Sequence, residues 1–297
     1  MKTINNKNEL KTALWYVGIV LLVSNLFQIV IVKLGGSFSS GTYELSDLQN
    51  NLLFVCMFIP AIILGIFKLT NKIQKKSLGM WPIRPLYCLL SFGIMLLFVL
   101  VTFLALLPFS EFSSIIVESG KLRLNGFSMI IAQPNSLPVF IVNILISMLF
   151  ASIISVFRGW GEEIGWRGYV APIFEKHFGE ARGTILLSVL WAIFHAVANL
   201  AGYNFNGSTP WFSAFILMPL NCIALGAILA WLRKASGSVW PAAMGHASIN
   251  VMGLFIDTLL PKISPNIFYL IMCAIQVAIS IFFFFLLTKP KKPTKVV

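Results

Sequence analysis

Glu162 and Glu163 stand side by side where a long apolar stretch ends, in the run Gly161-Glu162-Glu163-Ile164-Gly165-Trp166-Arg167-Gly168. The chain holds only ten acidic residues among 297, so a neighbouring pair at such a place is conspicuous. His195 and His246 lie inside later apolar stretches. Ionisable groups at membrane depth are costly and point to function by default. Carboxylates and imidazoles are also the side chains that most often move protons in catalysis. The set therefore points to acid–base chemistry in an enzyme whose active site is built in the membrane.

Helical spacing divides the roles. Glu163 and Arg167 are four apart, in the acid-before-base order that favours an ion pair. Glu162 shares its face with Trp166 and Arg158, so the two carboxylates point about 100° apart and have separate partners. Arg158 is expected at the interface. Trp191, His195 and Asn199 recur every fourth residue on one face, as do His246 and Asn250. Each signal alone has an ordinary structural explanation. A Glu-Glu-x-x-x-Arg run is often a solvated helix end, and a lone histidine in an apolar helix usually serves as an interhelical hydrogen-bond partner. Their concurrence on separate helices argues against three unrelated packing choices. His177, in a polar connector, reads as a surface residue.

The elements that must position these groups are membrane helices. Hydrophobic residues make up 58% of the chain and charged residues 11%, against about 25% charged in soluble domains. The expected fold is all-α, a polytopic membrane helical bundle of about eight transmembrane helices with both termini cytosolic. The spans fall at 13–32, 52–69, 86–107, 138–160, 184–201, 211–232, 239–260 and 266–288. Of the 22 Lys and Arg, only Lys33, Lys121, Arg123 and Lys262 then lie opposite the termini, which satisfies the positive-inside rule. The net charge of +12 is read as topology and attraction to the lipid bilayer, not as nucleic-acid binding. The first span is expected to be an uncleaved anchor. Residues 1–137 form spans 1–3 and an outer loop, 138–260 the catalytic core of spans 4–7, and 261–297 the last helix and a basic cytosolic tail. Segment 108–137 leaves room for a short re-entrant or surface helix. Cys56, Cys88, Cys222 and Cys273 fall in apolar runs without ligand spacing and read as packed thiols. Asn143, Asn221 and Gln276 are expected to make interhelical hydrogen bonds.

Depth supplies a constraint. His246 lies seven residues into its span, about 10 Å at 1.5 Å per residue. For Glu162 to meet it, the fourth span must run on to about Trp166, and the fifth must begin near Gly183. The site then sits below the interface, in a cavity open to the cytosol.

Glu162-Glu163-x-x-x-Arg167, then Trp191-x-x-x-His195, then His246-x-x-x-Asn250 resembles the CPBP family. These are intramembrane proteases related to the type II CAAX prenyl endopeptidases, also called the Abi family. The Gly-Glu-Glu-Ile-Gly-Trp-Arg-Gly context, with Pro172 beyond it, is similar to one bacterial branch, as is the lead-in Ser238-Val-Trp-Pro-Ala-Ala-Met-Gly-His246. Trp191 stands where the wider family often has Phe, and Arg158 is outside the family pattern. The motifs cover about 161–250; the rest matches in hydropathy only.

The resemblance implies a membrane endopeptidase in which Glu162 and His195 activate water and His246 and Asn250 stabilise the oxyanion. Glu163, Arg167, Trp191 and Asn199 are then supporting residues. The substrate class is a hydrophobic peptide, a lipidated C-terminus or a membrane-protein segment, and the location a multi-pass place in the cell membrane. Two mechanisms stay open. One is a metal-free glutamate mechanism. The other uses Zn2+ on Glu162, His195 and His246, a two-His, one-carboxylate set. A non-catalytic immunity or scaffold protein against peptide toxins is the alternative function.

Overall fold

The computed structural model describes residues 6–35, 47–70, 78–109, 117–118, 121–124, 127–130, 137–203, 209–259 and 265–288. Helices α1 (Asn6–Gly35), α2 (Asp47–Cys56), α3 (Ile59–Leu69) and α4 (Pro85–Leu106) are followed by α5 (Leu137–Glu163) and α6 (Ala171–Phe178). Then come α7 (Glu180–Phe194), α8 (Ala196–Leu200), α9 (Pro210–Phe212), α10 (Met218–Ser236), α11 (Trp240–Leu259) and α12 (Pro265–Thr288). The protein is a polytopic helical membrane bundle. Among the described residues, six helical stretches are long and apolar enough to cross a membrane: Asn8–Leu34, Asn51–Leu69, Pro85–Leu106, Val142–Phe178, Pro210–Ser236 and Leu270–Thr288. The expected spans at 184–201 and 239–260 are not among them. The first is split into α7 and α8. The second, α11, runs in part outside the described residues.

The connection between α4 and α5, where the sequence leaves room for a short helix, is built otherwise. It carries three antiparallel strands in the order β1 (Val117–Glu118), β2 (Lys121–Leu124) and β3 (Phe127–Ile130). Val117 pairs with Leu122, and Leu124 with Phe127.

Two helices widen into π turns, Ile164–Val170 between α5 and α6 and Ser213–Leu217 before α10. Both lead into an X-Pro step, Ala171-Pro172 and Met218-Pro219. Proline has no N–H to donate four residues back, and its ring crowds that carbonyl. Widening the turn relieves the crowding, and the N–H of Ala171 donates to the Trp166 carbonyl five residues back. The result is one continuous rod from α5 through α6, which holds the glutamates within it and runs on past Trp166.

Around this rod the core is tight. Trp166 and Arg167 are the largest fully buried side chains, with Tyr16, Phe174 and Met95 also enclosed. α11 packs mainly on α5 and α4, and α10 on α12 and α7. Gly159 lets α5 approach the Ala243 backbone of α11, where a Cβ would overlap. Gln276 Nε2 of α12 donates to Asn221 Oδ1 of α10 at 3.0 Å, an expected interhelical bond worth about 0.6 kcal/mol. Cys56 and Cys222 are buried, Cys88 and Cys273 half-buried, and all four are free thiols.

Candidate active site

Residues 161–170 are all buried, and the two glutamates diverge as their spacing predicts. Glu163 Oε1 accepts from Arg167 Nη1 at 2.9 Å and from His246 Nδ1 at 2.9 Å. The close crossing of α5 and α11 thus brings His246 onto the glutamate pair. Glu162 turns the other way. Its Oε2 accepts from Trp191 Nε1 at 2.7 Å, which leaves Oε1 without a hydrogen-bond partner among the described residues. A phenylalanine at 191 would lack this N–H.

Trp191 is the hub. The Arg167 guanidinium lies over its ring at 4.4 Å. The His195 and His246 rings stand edge-on to it, with centroids at 5.7 and 5.3 Å. Its carbonyl accepts from His195 Nδ1 at 2.8 Å. A carbonyl only accepts, so Nδ1 carries the proton and the neutral ring offers a bare Nε2. That carbonyl is available because the helix breaks at His195, whose N–H turns to the Ala192 carbonyl at 3.0 Å, three residues back. His195 is half-buried, His246 is buried and Asn250 is exposed, one turn beyond His246. Asn199 is buried, its N–H donating to the His195 carbonyl at 3.0 Å.

The structure therefore gathers Glu162, Glu163, Arg167, Trp191, His195 and His246 at one centre. Arg158 is exposed and lies over the Phe54 ring at 3.6 Å, away from Glu162. His177 is half-buried on α6, its ring at 2.8 Å from the Ile173 carbonyl. Sequence reasoning missed Gln28 and Asn25 of α1, which bind the backbone on either side of His195. Their only sequence signal is an amide inside an apolar span.

Metal-binding histidines are held through one ring nitrogen and coordinate through the other, and both imidazoles here are held through Nδ1. The three donors nevertheless do not converge. Among the described residues no group of three or more His, Cys, Asp or Glu is placed to hold an ion. This arrangement of the described residues does not fit a bound metal.

A multi-pass helical membrane protein with a buried carboxylate–imidazole centre is the class that fold and site define. Residues 136–252 match the family model described as type II CAAX prenyl endopeptidase Rce1-like. Over that segment the chain is similar to this family. It is also similar to "CAAX prenyl protease 2" of Methanococcus maripaludis, 26% identical over 95 residues, or 30% of this chain. The matched stretch covers 34% of that protein's length. Helices α1 to α4 and α12 lie outside the family match.

Proposed function

We propose that the chain is an intramembrane endopeptidase that hydrolyses a peptide bond in a hydrophobic peptide, a lipidated C-terminus or a membrane-protein segment. The observation that carries this reading is Glu162, buried and oriented by Trp191, with one oxygen uncommitted and both imidazoles within its electrostatic reach. Glu162 takes a proton from water, which His195 helps to hold through its bare Nε2. The resulting hydroxide attacks the carbonyl carbon, and the oxyanion is held by His246 and Asn250. For His246 to donate from Nε2 while Nδ1–H faces Glu163, the ring must be doubly protonated, and the Glu163 carboxylate balances that charge. The C–N bond then breaks, and Glu162 returns its proton to the leaving amine. Donors aimed at an oxyanion in a water-poor site are worth about 3–4 kcal/mol each.

Residues 138–260 form the proposed core. Eight crossings of the cell membrane, with both termini and the site's opening on the cytosolic side, follow from the Lys and Arg distribution.

The test compares wild type and Glu162→Gln, reconstituted in liposomes with a library of hydrophobic and lipid-anchored peptides. The glutamine oxygen still accepts from Trp191, so the variant stays folded, and cleavage is expected to vanish. Wild-type cleavage by this variant overturns the reading, and retained toxin protection by it supports an immunity protein. The glutamate mechanism predicts cleavage unchanged by chelator. Loss with chelator and recovery with zinc moves the mechanism to a metal.

A further inference from the structure

The helix that carries His195 is opened by a residue outside the family match. In an unbroken helix the Ala198 N–H donates to the Phe194 carbonyl, four residues back. Here the carboxamide of Gln28, from α1, stands between them. Ala198 N–H donates to Gln28 Oε1 at 2.9 Å, and Gln28 Nε2 donates to the Phe194 carbonyl at 2.7 Å. Gln28 Nε2 also donates to Cys56 Sγ at 3.6 Å. Asn25, nearly one turn earlier on α1, donates from Nδ2 to the Ile193 carbonyl at 3.3 Å. Gln28 is 2% exposed, and this amide has every polar atom engaged. A side chain inserted into the helical ladder is a recognised cause of a sharp bend.

The insertion has a consequence for chemistry. With the ladder open, the His195 N–H turns to Ala192 and the Trp191 carbonyl falls to the His195 ring. That single contact fixes both the orientation of the ring and its Nδ1–H tautomer. We propose that Gln28 is a positioning residue for His195: by bridging Phe194 and Ala198 it holds the break that leaves Nε2 bare and aimed at the site. The proposal rests on the assignment of His195 to the reaction. Gln28 itself touches backbone, not reacting atoms. The first helix then positions the site from outside the family match.

The chain has three histidines, which makes the test direct. Protein labelled with 15N-histidine is placed in nanodiscs, and the three imidazoles are assigned by single His→Gln substitutions. Wild type is expected to show His195 as one Nδ1–H tautomer. Gln28→Met keeps the length and removes every hydrogen bond to the break. In that variant His195 is expected to average between tautomers while His177 and His246 stay unmoved. Cleavage is expected to slow about ten- to a hundred-fold at unchanged KM, the scale of an approximately 1 Å misplacement. Unmoved His195 resonances in folded Gln28→Met overturn the proposal. Should that variant not fold, amide exchange in wild type decides. An Ala198 N–H as protected as the middle of α7 supports the clamp, and one that exchanges like a free helix end overturns it. The resonances do not depend on protease activity. Wild-type cleavage by Glu162→Gln with a moving His195 sinks the function and keeps the clamp. Unmoved resonances with an inactive Glu162→Gln sink the clamp alone.

Discussion

His195 and His246 face one tryptophan from two helices built in opposite ways. His246 rides on α11, an unbroken 20-residue helix, and is held by a carboxylate that also binds a buried guanidinium. His195 sits at a break, half-buried, and is held by a backbone carbonyl. One arm is a buried charge network, with Glu163 Oε1 shared and Oε2 without a hydrogen-bond partner among the described residues. The other is neutral and open on its Nε2 side. Charge networks in a membrane interior tolerate the loss of a member poorly, because the remaining charge is stranded. A neutral imidazole on a backbone acceptor strands no charge when removed. The two arms should therefore fail differently, the charged one in stability and the open one in rate.

The largest effect is expected on the open side. His195→Gln should lower cleavage about 10²- to 10⁴-fold, the usual contribution of a positioned acid–base group. Its thermal unfolding should stay near wild type. A large drop in stability with modest loss of rate would reverse the assignment of the two arms. On the charged side, Glu163→Ala leaves Arg167 buried without its carboxylate and should cost about 3–5 kcal/mol of stability. Unfolding in mild detergent measures it. A variant as stable as wild type would show that this network does not hold the rod. The smallest effect belongs to Asn250, which is exposed beside the buried His246. Asn250→Ala should slow cleavage about 10²- to 10³-fold with stability unchanged, as expected for one oxyanion donor. An unaffected rate would leave His246 as the sole donor from α11.

What the sequence disclosed follows the same division. The Glu163–Arg167 pair was legible from i,i+4 spacing, and the nearness of His246 to the glutamates from depth along two regular helices, though the expected partner was Glu162 and the ring bonds Glu163. Both depend on periodicity that a linear reading can count. The break at His195 was not legible. It is made by Gln28, 166 residues from Phe194 in the chain, and nothing local to Ala192–Asn199 announces it. The π turn of 164–170 had a local cause in Pro172, but a widened turn and an ordinary kink share that signal. The strands at 117–130 had one too. Asn125-Gly126, between β2 and β3 in the chain, is the strongest short hairpin signal.

The central claim is that Glu162, and not its neighbour, is the base. Membrane peptides from cells carrying wild-type, Glu162→Gln or Glu163→Gln protein, matched for abundance and compared by mass spectrometry, test it most directly. The account predicts that substrate fragments present with wild type vanish with Glu162→Gln. With Glu163→Gln they decline only as far as folded protein declines. Fragments undiminished in Glu162→Gln would contradict it.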